Sequence, residues 1–239
     1  MTTEDVWASR AGPHVLAASR ARRGWSFGRA VALLLVAGLV VFGVRLLLVQ
    51  SFVIPSASMQ PTLTAGDRVL VSRLDYRLGD VRRGDVIVFD GDGVFGAPAR
   101  PARTPLAGLG RGIAATLGAP VGEYDYVKRV IGLPGERVVC CDAVGRITID
   151  GRPLEENYLR RPGSASSTPF DVIVPSGRLW VMGDNRDDSG DSRAHVSDPG
   201  GGTVPLNHVV GRVASIWWPW GRATGIGRPD AYGRDTGGR

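Results

Sequence analysis

Lysine is almost missing from this chain. Of its 29 basic residues, Lys128 is the single lysine and all the others are arginine. A guanidinium stays protonated in a protein, whereas a buried ammonium can lose its proton. Lys128 is therefore a candidate base. Histidine is scarce as well: His14, His195 and His208 are scattered, and no recognisable motif surrounds any of them. Cysteine is confined to the adjacent pair Cys140 and Cys141. These few sulfur and imidazole groups match no metal-ligand spacing, so neither a metal nor a cofactor is expected. Neighbours in a strand point to opposite faces. The cysteine pair accordingly reads as two small buried apolar residues, with a vicinal disulfide as the lesser alternative.

A helix-turn-helix and an aromatic-basic RNA motif are also lacking, although the formal charge is +6 and the sequence pI is about 10.0. The arginines are spread along the chain instead of forming one patch, which argues against nucleic acid as a partner. An anionic membrane surface remains compatible with that charge.

What is present begins with length: 239 residues suffice for one good-sized core plus a membrane anchor. Residues 1–27 form a polar tail carrying Arg10, Arg20, Arg22 and Arg23. The run "AVALLLVAGLVVFGV", Ala30 to Val44, would rise only about 22 Å as a helix, short of a hydrocarbon core of about 30 Å. Continued through Arg45 and "LLLV" to Val49 it reaches about 30 Å, with Arg45 able to snorkel near one end. Residues 28–50 are thus expected to be a single transmembrane anchor. The arginines before it place the N-terminus in the cytoplasm and everything after it outside the plasma membrane. A cleaved signal peptide is the alternative, disfavoured by the length of the span and the lack of a clean A-x-A after it.

From Phe52 onward the pattern changes to short β-rich runs: "RVLVSRL", "GDVIVF", "YVKRVIGL", "RVVCCD", "GRITIDG", "DVIVP", "RLWVMGD" and "VVGRVASIWW". Glycine (34) and proline (16) are plentiful and separate the runs at spacings near ten residues. A mainly β barrel or sandwich over residues 51–222 follows. Residues 92–123 interrupt it with an Ala-, Gly- and Pro-rich stretch, and residues 223–239 form a polar tail. The segment "SIWWPWGR", Ser215 to Arg222, holds three tryptophans that suit either a bilayer interface or the core.

Just past the apolar run stands "IPSASMQPT", Ile54 to Thr62, with serines two apart. A serine hydroxyl needs a base within hydrogen-bond reach to act as a nucleophile. A lysine serves in recognised Ser-Lys variants, provided burial lowers its pKa by roughly 3–5 units. Lys128 lies in "EYDYVKRVIGL", among strand-forming apolar residues. A third element, "MGDNRDDSGDSR" from Met182 to Arg193, is either a solvated charged loop or a buried ion-pair network that orients another group.

Taken in order behind an anchor, "IPSASMQPTL", "RRGDVIVF", "YVKRVIGLPGERV" and "GDNRDDSGDSR" resemble the ordered boxes of bacterial type I signal peptidases, over roughly Phe52 to Pro219. The resemblance implies a membrane-tethered serine endopeptidase with a signal-peptidase-like β fold. It would remove signal peptides from exported preproteins after small residues of the A-x-A type. Ser58 would be the nucleophile and Lys128 the general base. Ser56 would be an oxyanion donor beside the Ser58 backbone N–H, a role consistent with residues two apart facing one side of an extended segment. Ser189 corresponds to the serine that positions the lysine, and Asp191 and Arg193 to a supporting charged pair. Asp184, Asn185 and Arg186 are expected to be structural. Phe52, Ile54, Pro55, Met59, Leu63, Tyr126 and Val127 correspond to substrate-pocket positions, with the peptide added along edge strands. Expected partners are signal peptides of secretory preproteins and the phospholipid bilayer. The enzyme is expected to be a monomer, near the translocation machinery.

The chain departs from the family pattern after Arg193, where "SRAHVSDPGGGTVP" replaces an aromatic and introduces glycines, and at Ala57, where glycine is common. Two other readings share some of these features. Self-cleaving SOS-type repressors use the same dyad but carry a DNA-binding N-terminus, and an inactive anchored paralogue would lack Ser58 or Lys128.

Overall fold

The computed structural model describes residues 27–73, 76, 80–96, 125–163 and 165–229, with the side chains of 41, 42 and 44–48 outside that description. Residues 1–26 of the polar tail, most of the 92–123 interruption and the end of the C-terminal tail thus fall outside the described residues, while Phe27 already belongs to the helix that follows. The chain divides into two compact units, one up to Val41 and one from Phe42.

Helix α1 runs Phe27–Leu48. Its 22 residues correspond to a rise of about 33 Å. Apolar side chains such as Leu34 and Leu39 stand exposed along it, and a helix apolar on all sides needs an apolar surround. Counting only the residues described in full, which leave out 41, 42 and 44–48 of α1, no helix is long and apolar enough to cross a membrane.

The β unit starts immediately, because Val49–Val53 (β1) leaves the helix as a strand. Val49 and Gln50 pair with Ser72 and Val71, so the end of the apolar run belongs to the sheet. The remaining strands are Arg68–Ser72 (β2), Val86–Asp90 (β3), Asp125–Gly132 (β4), Arg137–Cys140 (β5), Ile147–Ile149 (β6), Arg152–Pro153 (β7), Phe170–Ile173 (β8), Arg178–Met182 (β9), Val204–Pro205 (β10), Val209–Trp218 (β11) and Thr224–Gly225 (β12). An eight-stranded antiparallel sheet has the order β1-β2-β11-β3-β4-β9-β10, with β12 on β11, and a four-stranded sheet has the order β7-β6-β5-β8. The sheet continues past residue 222, since Ile226 N–H donates to the Ala214 carbonyl at 2.8 Å and its side chain is buried.

Composition explains this layout. Strand β2 alternates half-buried and buried residues, as a one-sided strand does, whereas Val86, Ile87, Val88 and Phe89 of β3 are all buried. The central strand is covered on both faces, so it reads as a continuous apolar run. One core holds Phe52, Val69, Val88 and Val213; a second holds Ile87, Phe89, Leu179 and Val204. A third, with Ile131, Val138, Phe170 and Trp180, joins the end of β4 to the smaller sheet. Gly132 enables that junction: a Cβ there would lie 2.5 Å from Val138 Cγ2 and 3.0 Å from Val174 Cγ2.

Cys140 and Cys141 are joined as a vicinal disulfide. The strand-based expectation of two separate apolar side chains fails because β5 ends at Cys140, so face alternation no longer governs Cys141. Both are half-buried against the third core.

Candidate active site

Three segments converge. The turn after β1 carries Ser56 and Ser58, the middle of β4 carries Lys128, and the loop from Gly183 to Arg193 follows β9. Pairing of β4 with β3 on one side and β9 on the other fixes Lys128 opposite Ile87 and brings Arg129 opposite Met182. The start of the charged loop is thereby delivered next to β4.

Lys128 Nζ lies 2.8 Å from Ser58 Oγ. This is its one hydrogen bond among the described residues, and both side chains are buried. Burial lowers the lysine pKa from 10.5 to about 8. The carboxylates of Asp191, Asp184 and Asp188 oppose that drop, while the Arg193 guanidinium adds to it. Roughly a tenth of the amine is then neutral at pH 7, against well under a thousandth for an ordinary lysine. Ser56 is exposed, with its Oγ 3.3 Å from Ser58 Oγ, a loose contact for two hydroxyls.

The charged loop is a buried ionic framework. Burial alone would raise the Asp191 carboxyl, yet its pKa is lowered. Arg193 donates to it through Nε at 2.9 Å and Nη2 at 2.8 Å, and Gly183 N–H donates at 2.9 Å. Arg193 also donates to the Arg186 carbonyl at 2.9 Å. Arg186 in turn pairs with Glu156 and donates to the Ala165 carbonyl at 2.6 Å. Ser189 Oγ is buried with no hydrogen bond of normal geometry among the described residues, though its hydroxyl helps hold Asp191 ionised. Asp184 takes a two-pronged bond from Arg129, Nε at 2.8 Å and Nη2 at 2.6 Å, and accepts from Thr62 Oγ1 at 2.5 Å.

This framework grips the serine turn through its main chain. Asn185 N–H donates to the Ser58 carbonyl at 3.0 Å, and Asn185 Nδ2 to the Ala57 carbonyl at 3.1 Å. Gly183 permits the approach, because a Cβ there would collide with Ser189 Oγ and lie 2.5 Å from the Ser58 oxygen.

Of the residues expected to line substrate pockets, Phe52, Ile54, Met59, Leu63 and Val127 are buried together in one core, and Pro55 is exposed beside them. Tyr126 lies apart, in the second core, stacked on Phe89 with ring centroids 5.6 Å apart. Two of the three histidines are engaged elsewhere: His195 with Asp198 and the Phe95 ring, His208 with the Asp90 carbonyl. Among the described residues, no group of His, Cys, Asp and Glu could hold a metal ion.

The family model described as signal peptidase, peptidase S26, matches residues 27–218. The chain belongs to this family. The signal peptidase I of Mycobacterium tuberculosis (strain ATCC 25618 / H37Rv) is 39% identical over 221 residues, covering 81% of this chain and 74% of that protein. A probable signal peptidase I of Mycobacterium leprae is 36% identical over 233 residues, covering 85% and 79%. The signal peptidase I of Leptolyngbya laminosa is 34% identical over 193 residues, covering 81% and 80%. A crystal structure of signal peptidase I from Enterococcus faecalis V583 has 25% identity and a TM-score of 0.36, covering 56% of this chain and 97% of that one. The assignment rests on the sequence relatives.

As a member of the signal peptidase I family, the protein is a serine endopeptidase that processes the leader sequences of preproteins, and membership implies a membrane-associated enzyme. From the sequence, Asp184, Asn185 and Arg186 are expected only to be structural, and no expected role falls on Arg129 or Glu156. One available signal was "VKRV": a second cation next to a buried lysine must find a carboxylate elsewhere in the chain.

Proposed function

We propose that Ser58 and Lys128 are the catalytic dyad of this signal peptidase. The observation that carries the reading is the 2.8 Å contact between Lys128 Nζ and Ser58 Oγ, made by a lysine whose pKa burial has lowered to about 8. The neutral amine takes the Ser58 hydroxyl proton as Oγ attacks the scissile carbonyl carbon. The tetrahedral oxyanion accepts hydrogen bonds from Ser58 N–H and the Ser56 hydroxyl. The Lys128 ammonium returns the proton to the leaving amine, which departs as the mature protein's N-terminus. Water then attacks the acyl-serine, with Lys128 again as base and then acid.

Supporting roles follow from the contacts. Ser189 offers a buried hydroxyl beside Asp191, suited to positioning the amine. Asp191 and Arg193 hold the loop that carries it. Phe52, Ile54, Pro55, Met59, Leu63 and Val127 form the apolar floor on which small residues of an A-x-A signal sequence would seat, whereas Tyr126, packed in the second core, stands apart from it. The 22-residue α1 serves as the single membrane anchor, with the arginine-rich N-terminus cytoplasmic and the β unit outside the plasma membrane. Exposed Trp218 and Trp220, ring centroids 5.9 Å apart, suit contact with the bilayer. The enzyme acts as a monomer near the translocation machinery and needs no cofactor.

The test is cleavage of a preprotein in detergent by the wild type, Ser58→Ala and Lys128→Arg. Cleavage is expected from the wild type alone. Substantial activity in Lys128→Arg would remove the lysine from the base's role, since arginine cannot lose its proton.

A further inference from the structure

Asn185 makes two hydrogen bonds to the serine turn, and they fall on the two peptide units that flank Ser58. Its backbone N–H binds the Ser58 carbonyl; its side-chain Nδ2 binds the Ala57 carbonyl. The second contact bears on the chemistry. The Ala57 carbonyl and the Ser58 N–H belong to one planar trans peptide, so they point in opposite directions. Fixing the direction of that carbonyl fixes the direction of the N–H. Ser58 N–H has no hydrogen-bond partner among the described residues, which leaves it free for an oxyanion.

The Ala57 carbonyl also accepts from Gln60 N–H at 3.1 Å. That bond lies within the turn and moves with it. Asn185 ties the peptide instead to the buried framework after β9, where it is flanked by Asp184 and Arg186, both engaged in buried ion pairs. A bond donated to a peptide carbonyl also polarises the unit and makes its N–H a better donor.

We infer that Asn185 is a positioning residue for the oxyanion site: its side-chain amide sets and polarises the Ala57–Ser58 peptide, so that Ser58 N–H meets the developing oxyanion. The inference rests on Ser58 being the nucleophile. It concerns the transition state and not substrate docking. Removing the Nδ2 donor should therefore lower kcat and leave KM and the lysine titration unchanged.

The experiment uses the full chain in detergent with Asn185→Ala and Asn185→Asp, beside wild type and Ser58→Ala. It reads preprotein cleavage, thermal stability and inhibition by a peptide aldehyde, whose hemiacetal oxygen on serine mimics the oxyanion. Losing one direct oxyanion donor lowers kcat by roughly 10²–10³-fold, so an indirect partner should cost about tenfold. The expected result for Asn185→Ala is that drop with KM and the pH midpoint unchanged and a parallel loss of aldehyde affinity. Asn185→Asp, nearly the same in size but without the donor, should be at least as impaired. A kcat within about twofold of wild type in Asn185→Ala would overturn the inference. So would a loss of kcat in both variants that leaves aldehyde affinity intact and tracks a fall in stability, because that is a packing effect. Full cleavage by Ser58→Ala would instead defeat the dyad reading, and the two failures are distinguishable in the same assay.

Discussion

Strand β4 buries two cations side by side, and their surroundings could hardly differ more. Arg129 is 1% exposed and Lys128 4%. Arg129 is gripped by Asp184 on two nitrogens, by the Gly84 carbonyl at 2.9 Å and by Thr62, and its guanidinium sits 4.3 Å from the centre of the Tyr158 ring. Lys128 meets a neutral hydroxyl and no carboxylate within ion-pairing distance among the described residues. A buried charge persists only where partners replace the lost water. The arginine is given those partners and becomes a structural strut. The lysine is denied them and, uniquely among the basic side chains here, can respond by releasing its proton.

The largest effect should come from erasing that difference. Lys128→Arg would put a permanent cation at the base position and lower preprotein cleavage by about 10⁴-fold, roughly 5.5 kcal/mol at the transition state. Next is the strut: Asp184→Ala leaves Arg129 buried without its carboxylate, and urea titration should report a loss of about 3–5 kcal/mol. Ser56→Ala removes a proposed oxyanion donor, and kcat should fall on the order of 10²-fold, with KM little changed.

The smallest effect runs the other way. Lys128→Met keeps the bulk of the side chain and removes the ammonium, so the inactive variant should be the more stable protein by about 1–3 kcal/mol at pH 7. The sign follows from the lowered pKa. Between about 8 and 10.5 the unfolded chain binds this proton more readily than the folded one, so wild-type stability rises with pH there. The advantage of Lys128→Met should be complete below pH 8 and gone above about 10.5. Chemical denaturation at two pH values checks it.

Much of this contrast was legible in the residues. The eight apolar runs recognised from Arg68 onward all contain or overlap strands, because β-branched runs bounded by Gly, Pro and Asp carry their own punctuation. The scarcity of lysine by itself singles out Lys128. Strand β1 was not separable, since an apolar run looks alike whether it ends a helix or enters a sheet, and only pairing with β2 assigns Val49 to the latter. The two-residue β7, β10 and β12 are too short to carry a pattern. The partners of Arg129 are likewise hidden: Thr62, Gly84 and Asp184 are far apart in the chain and meet only when the turn after β1 joins β3, β4 and β9. The same holds for the grip of Asn185 on the Ser58 turn.

The pH dependence of kcat/KM for preprotein cleavage reads the protonation state of the base in the free enzyme. With Lys128 as that base, the rate should be low in acid, rise tenfold per unit and level off through a midpoint near 8. A profile flat across that range, or one still rising past the ordinary lysine value of 10.5, would contradict a neutral Lys128 as the group that activates Ser58.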